Sequence, residues 1–405
     1  MNLSVADPAR PQRFLFSRRL VIAIWVVAII AVCGRVALTR SSRQDLFPVY
    51  QNAGQAWLNG EDLYRNSKFD YRYSPLFAAA MTPAARLPLK LASISWRLLS
   101  VFCFLAALSW TCRAGIPDKF AAEQAYLIFL LILPLSLGNL NNGQANLLVL
   151  AALLAAVAAV WRGWWMAAAI TLTVAATIKI YPLAMALVFV VMFPRQLLWR
   201  FVLCLVVAMV LPFALQKIDY VSRQYNDWFH YLRSEDRSSR LLSEWYSDLR
   251  LLFRVWFVPL STTTYIVIQL AAAIAIAVGA LVGKLRHWPI PRLIAWTFSL
   301  SCCWMTLLGP ATESATYVLI APATVWIGCE LLVRGGGAIE SAWVAVIYGL
   351  QLLAGMAGWF GGMKRFGVYA SPLALSAVLL AAYLLRPAIF RQMNTRSRLA
   401  DGGRG

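Results

Sequence analysis

The chain has 405 residues, of which 61% are hydrophobic and 13% charged, and its mean hydropathy is +0.66. A soluble domain carries about 25% charged residues. The composition therefore excludes a soluble globular fold and predicts an all-α polytopic membrane protein, in which each span satisfies its own backbone hydrogen bonds. The formal charge of +20 comes from 37 Lys and Arg against 17 Asp and Glu. No basic stretch lies in a foldable soluble segment, so the excess reads as interface anchoring and not as nucleic-acid binding.

In chain order, a basic cytoplasmic tail (1–18) leads through Arg18 and Arg19 into an apolar run, Leu20 to Leu38. That run is long enough to span and has no convincing cleavage site, so it is expected to stay as the first span. A long polar loop follows at 39–92. Further spans are predicted at about 93–112, 121–138, 144–160, 164–178, 181–193 and 201–216. A second long polar segment covers 217–260, and spans follow at about 262–283, 291–308, 314–333, 339–359 and 369–385, before a basic tail at 386–405. Residues 19–385 thus form one transmembrane domain of about twelve spans. The short connections at 113–120, 161–164, 194–200 and 284–292 carry Lys or Arg, whereas the turns at 138–146 and 309–313 carry none. That asymmetry puts both termini in the cytoplasm of a bacterial inner membrane and both long loops outside.

The loop 39–92 has a plan of its own. Pro48 suits a first helical turn, Tyr50, Ala53, Trp57 and Leu58 recur at helical spacing, and Asn59-Gly60 is a stop signal. The pattern predicts a short amphipathic helix lying in the interface plane with its apolar face toward the membrane. Leu63, Tyr64, Phe69, Tyr71 and Tyr73 add an aromatic surface, and Pro75, Pro83 and Pro88 punctuate the return.

Expensive polar groups gather near span ends on the outer side: Asp45, Asn139, Asn142, Gln144, Lys179, Tyr181, Glu313, Lys364 and Arg365. Charges at membrane depth are paired or functional. Asp45 suits a general base, and equally a helix cap or a salt bridge to Arg40 or Arg43. Lys179 interrupts an apolar run just before Pro182 and suits an anion such as a lipid phosphate, or else snorkels. The amides Asn139, Asn142, Gln144 and Asn146 suit sugar hydroxyls or the capping of two helix ends. Glu313 could bind a sugar, pair with Lys179 or Lys364, or cap a span. Lys364 and Arg365, flanked by glycines, could clamp a phosphate or anchor the interface. The aromatic and Arg-rich segment 217–260 fits an interfacial belt or a sugar-phosphate surface. The seven cysteines lie in or beside apolar segments and read as small hydrophobes, and a count of two histidines argues against a His-based metal site.

Asp45, Tyr50, Gly60, Tyr64, Phe69, Tyr71, Tyr73, Pro75, Pro83 and Pro88 stand in an order that resembles glycosyltransferase family 87. So do the downstream runs Asn142-Gly143-Gln144-Ala145-Asn146 and Ile178-Lys179-Ile180-Tyr181-Pro182. These are polyprenol-phosphate-mannose-dependent α-1,2-mannosyltransferases of the GT-C superfamily. The resemblance implies a GT-C bundle with juxtamembrane helices in the first outer loop. It implies a polyprenyl-phosphate-linked hexose as donor and a lipid-linked or cell-envelope glycan as acceptor, with no cofactor, nucleotide site or metal. It maps the family's catalytic aspartate onto Asp45. Lys179, Lys364 and Arg365 would then meet the donor phosphate, and Asn142, Gln144, Tyr181, Glu313, Tyr64 and Tyr73 the sugar or acceptor. The chain departs from the family at Tyr73-Ser74-Pro75, where members often read Tyr-Pro-Pro, and at Gly309 to Tyr317, where many carry a His. A transporter or a flippase of lipid-linked sugars is the rival class. A transporter would set charges at the midplane in an internal repeat, and no repeat is visible.

Overall fold

The computed structural model describes residues 17–39, 44–65, 71–117, 122–234, 242, 245–357, 371–387, 389 and 393. Every regular element among them is helical. After α1 (Arg18–Leu38), the first long connection folds as α2 (Phe47–Asn59), α3 (Pro75–Ala80) and α4 (Thr82–Ala85). The bundle continues with α5 (Leu89–Ala114), α6 (Ala122–Asn141), α7 (Asn146–Trp161), α8 (Trp165–Ile178), α9 (Leu183–Met192) and α10 (Pro194–Leu215). The second long connection carries α11 (Ile218–Ser234) and α12 (Leu249–Trp256). Then come α13 (Thr262–Leu285), α14 (Ile290–Leu307), a 3-10 segment (Ser314–Ile320) that runs into α15 (Ala321–Arg334), α16 (Ala338–Ala357) and α17 (Pro372–Leu384).

Among the described residues, seven helices are long and apolar enough to cross a membrane. They are α1, α5, α6, α10, α13, α15 with its 3-10 lead, and α16. The segments α7, α8, α9 and α17 are apolar but shorter, at 16, 14, 10 and 13 residues. At 1.5 Å per residue α9 reaches only about 15 Å, half of a hydrocarbon core. The expected loop at 194–200 is the first two turns of α10, because Pro194 is accommodated at the helix start, where no N–H is needed.

The length difference follows burial. α7 is apolar on every side and almost wholly buried, packed by α5, α8, α6, α14 and the 3-10 segment. Its Ala-rich surface lets those neighbours approach closely. α14 is similarly enclosed. By contrast α10 and α13 leave Val202, Val206, Val210, Ile266, Leu270 and Ile274 exposed, which is a surface made for lipid.

The first long connection is a packed helical layer rather than a helix resting on lipid. α2 begins with Pro48 in its first turn and ends at Gly60, whose φ of 69° allows the left-handed cap. Phe47, Tyr50, Ala53, Ala56 and Trp57 are 0–3% exposed, covered by α3, α4 and α5. Leu58, expected on the buried face, is 37% exposed. Gly54 is required by the packing: a Cβ there would lie 2.6 Å from the Met81 carbonyl oxygen. Gln51 donates from Nε2 to the carbonyls of Ala84 and Leu87 and holds α4 in place.

Candidate active site

Where α8 breaks, a cavity of about 370 Å³ is enclosed. Its walls come from the entry of the first connection (Asp45, Tyr50), its exit (Arg72, Tyr73), the α8–α9 break (Lys179, Tyr181), α11 (Trp228) and the turn after α14 (Glu313). The break follows from Pro182. It cannot continue a helix by donating an N–H, so Lys179 adopts an extended conformation, with φ −139° and ψ 143°, between α8 and α9.

Asp45 is held from three sides. Its Oδ1 accepts from the Phe47 N–H at 3.1 Å, an Asx turn that starts α2. The same oxygen lies 3.0 Å from Arg97 Nη2, and the two side chains are only 6% and 1% exposed. The Leu46 N–H donates to the Asn142 carbonyl at 3.0 Å. Arg97 in turn donates to the Asn141 carbonyl at 2.9 Å and to Ser93 on its own helix. Trp96, its neighbour, donates to the Gly143 carbonyl at 2.9 Å. The α6–α7 turn is thus the template on which Asp45 is set. Gly143, at φ 58°, is the point of closest approach: a Cβ there would lie 2.8 Å from Asp45 Oδ1 and 3.2 Å from Arg97 Nη2.

Lys179 lines the same cavity. Its ammonium lies 5.7 Å from the centroids of both the Tyr73 and the Tyr181 rings. Among the described residues no carboxylate comes within ion-pair distance of it. The aromatic pair is itself fixed. The Tyr73 hydroxyl shares a 2.9 Å hydrogen bond with Tyr50, and Tyr181 donates to Asn146 Oδ1 at 3.1 Å. Ser74 both caps α3 at the Phe77 N–H and donates to the Thr177 carbonyl at the α8 break. The rim is closed by Arg72, 3.2 Å from Glu313 Oε1. Glu313 is held by a turn in which Ala311 takes a left-handed φ of 54° and Thr312 Oγ1 donates to Met305 and Gly309 carbonyls.

A buried carboxylate on a fixed scaffold and an ammonium set between two tyrosine rings thus line one aromatic-walled cavity. The profile of glycosyltransferase family 87 matches residues 71–310, more than half the chain. The chain belongs to glycosyltransferase family 87. It is therefore a membrane glycosyltransferase, with a sugar donor and an acceptor as substrates. No curated protein matches the chain significantly. The matched range contains Arg72, Tyr73, Lys179, Tyr181 and Trp228, and stops short of both Asp45 and Glu313.

Of the residues the sequence singles out in this transferase, Asp45, Tyr73, Lys179, Tyr181 and Glu313 line one cavity. Asn142 and Gln144 do not line it; their backbones build the turn behind Asp45, through the Asn142 carbonyl and the Gln144 N–H to the Asn139 carbonyl. Tyr64 also stands outside, donating to the Tyr73 carbonyl at 2.8 Å, and burial pushes its hydroxyl well above the usual range, which keeps it a donor. Lys364 and Arg365 lie outside the described residues, as do Arg40 and Arg43. Glu313 pairs with Arg72, not with Lys179 as one alternative held, and makes no side-chain cap on the 3-10 segment that follows it.

Two residues at or behind the cavity, Arg97 and Arg72, were not singled out from the sequence. Arg97 sits inside the second span, and a lone Arg in an apolar run is a signal of a buried partner. Arg72 is hidden in an aromatic-rich stretch. Trp228 belongs to the segment read as interfacial belt or sugar-phosphate surface; it is 6% exposed, lines the cavity, and its indole N–H has no hydrogen-bond partner among the described residues.

Proposed function

We propose that the transferase moves a hexose, with mannose first in line from the family resemblance, from a polyprenyl-phosphate donor to a hydroxyl of a lipid-linked or cell-envelope glycan. The reaction runs on the extracytoplasmic face of the bacterial inner membrane, with about twelve helical segments and both termini on the cytoplasmic side. Asp45 takes the proton of the acceptor hydroxyl. The oxygen attacks the anomeric carbon from the face opposite the phosphate, the carbon–oxygen bond to phosphate breaks, and configuration inverts. The electron pair leaves on the polyprenyl phosphate, whose developing charge Lys179 stabilises. Tyr73, Tyr181 and Trp228 supply the stacking surface and donors that suit a sugar ring.

The observation that carries this reading is Lys179: an ammonium with no carboxylate partner among the described residues, set between two tyrosine rings in the cavity that Asp45 also lines. An isolated buried cation is costly and calls for an anion from the substrate. The phosphate of a lipid-linked sugar supplies one at the membrane boundary.

The test is Asp45→Asn in proteoliposomes given radiolabelled polyprenyl-phosphate mannose and a membrane glycolipid fraction. Transfer should be lost while donor binding persists. Full transfer by this variant would remove Asp45 as the base.

A further inference from the structure

Helices α1, α5 and α6 are tied together at one end and leave a groove at the other. At the tied end, Arg35 of α1 and Arg97 of α5 both donate from Nη2 to the Asn141 carbonyl, each at 2.9 Å. Further along, the Trp25 indole N–H donates to the Phe129 carbonyl at 2.9 Å, and the Trp25 ring meets Phe104 at 6.5 Å between centroids. Around and beyond Trp25 the three helices line a groove of about 730 Å³. Trp25, Ile29, Leu105 and Phe129 are among its walls, and Arg18 and Arg113 line it as well.

The shared carbonyl sets the register of these two arginines. Arg18 lies 17 residues before Arg35 on α1, and Arg113 lies 16 residues after Arg97 on α5. The contact of Trp25 with Phe104, which lie between those limits, requires the two helices to run antiparallel. At 1.5 Å per residue the arginines stand about 26 and 24 Å from the tied end, level within one turn. Asp45 belongs to the tied end, where the Leu46 N–H donates to the Asn142 carbonyl. Along α1 the groove runs from Arg18 to Ile29, which is 11 residues, or about 17 Å. One leaflet, half of a hydrocarbon core of about 30 Å, has nearly that depth. Both arginines are exposed, neither side chain has an ion-pair or hydrogen-bond partner among the described residues, and no carboxylate lines the groove.

We propose that this groove binds a phospholipid with a net negative headgroup. Its phosphate sits between Arg18 and Arg113, and an acyl chain runs along Trp25, Ile29 and Leu105. Guanidinium forks match phosphate oxygens, and two like charges at one level select an anion. The apolar walls, one leaflet deep, select a chain attached to it. The lipid would also cover a helix that the protein covers little, since α1 buries only Val21, Trp25 and Val32. The site lies about 25 Å along the helices from the Asp45 end and does not depend on the reaction assigned there.

The experiment uses the full-length chain, delipidated in detergent, and native mass spectrometry. Three probes separate charge from chain. Palmitoyl-oleoyl-phosphatidylglycerol carries both, palmitoyl-oleoyl-phosphatidylcholine has the same chains and no net charge, and glycerophosphoglycerol has the headgroup without chains. Phosphatidylglycerol should bind at least about tenfold more tightly than phosphatidylcholine, as two basic residues at a lipid surface imply, and glycerophosphoglycerol should not bind. Arg18→Gln combined with Arg113→Gln should abolish that preference and leave the melting temperature unchanged, because both side chains are exposed. Arg19→Gln combined with Arg162→Gln removes the same charge from exposed positions that do not line the groove, and should keep the preference. Equal affinity for the two lipids, binding of glycerophosphoglycerol as tight as that of phosphatidylglycerol, a preference that survives loss of Arg18 and Arg113, or its equal loss in the control variant would each overturn the proposal.

Discussion

Gly143→Ala tests whether the α6–α7 turn sets the position of Asp45. The added methyl carries two separable penalties. The first is conformational: at φ 58° a non-glycine residue sits in the left-handed region, at a cost of about 1–2 kcal/mol. The second is steric. The new Cβ would lie 2.8 Å from Asp45 Oδ1, and ordinary contact begins near 3.4 Å, so the carboxylate must retreat by about 0.6 Å. Arg97 Nη2 and Phe47 Cβ, each at 3.2 Å, block the sideways escape. Overpacking of this kind costs about 1–3 kcal/mol. A misplacement of about 1 Å can cost roughly 100-fold in rate, so a loss of at least about tenfold in kcat is expected. Gly163→Ala is the matched control. Its φ of 71° imposes the same backbone cost, but the nearest atom, Trp165 Nε1, is 3.9 Å from the new Cβ. The assay pairs melting temperature in detergent with transfer from a polyprenyl-phosphate sugar in proteoliposomes. Gly163→Ala should lose stability and keep its kcat, whereas Gly143→Ala should lose both. If the two variants behave alike, the close approach of Gly143 to Asp45 has no functional weight and the argument fails.

Arg97→Gln should destabilise the fold by about 3–5 kcal/mol, because it leaves Asp45 as a buried charge without this partner; Arg97→Lys should not restore activity, since one ammonium cannot span Asp45, the Asn141 carbonyl and Ser93 together, and wild-type melting in the Gln variant would count against the pair. Lys179→Met should weaken donor binding roughly 10- to 100-fold, the range for a lost charge-assisted hydrogen bond, with no fall in melting temperature, and unchanged donor affinity would sink the role assigned to it. Asp248, the N-cap of α12, has its carboxyl pushed up to about 6 by burial, against the ordinary 3.8, despite the N–H it accepts from Leu251. A raised folded value means that its contribution to stability is complete below about 3.8 and is lost as pH rises through about 6. Asp248→Asn should therefore gain melting temperature over the wild type at pH 7 and lose that advantage by pH 4, and a difference that stays flat across this window would refute the assignment.

Much of the bundle was legible because lipid imposes a strict rule on sequence. A span must be apolar and continuous, so α1, α5, α10 and α13 announce themselves by length and hydropathy alone. The short buried helices were legible as apolar segments but not as helices too short to span, because burial by neighbours leaves no mark on composition. α2 was read correctly from Pro48 to Asn59-Gly60, since caps are local. Its partner surface was misread, because an apolar face looks the same against lipid as against α3 and α4. The site divides along the same line. Asp45, Lys179 and Glu313 stood out as charges in costly places. Their partners did not, because Arg97 lies 52 positions beyond Asp45 and Arg72 lies 241 before Glu313. Such pairings are fixed by how helices dock, which no single-sequence periodicity encodes.

The two ion pairs at the cavity leave Lys179 outside them. Asp45 with Arg97 and Glu313 with Arg72 form two neutral pairs on either side of the space. Asp45 and Glu313 on one side of the balance and Arg72 and Lys179 on the other bring two negative and two positive charges to the lining. The donor of the proposed reaction, a polyprenyl-phosphate-linked sugar, is a phosphodiester and would bring one negative charge to Lys179. In the proposed transfer a phosphate monoester with more negative charge would form beside Lys179, while Asp45 would become neutral by taking the acceptor proton. Charge would thus move from Asp45 to the departing phosphate within a cavity lined by Tyr50, Tyr73 and Tyr181. On that proposal, a lysine outside both of these ion pairs favours the state in which charge has crossed. A site with the opposite pairing, Lys179 bonded to Glu313, would have held back the one group the departing phosphate needs.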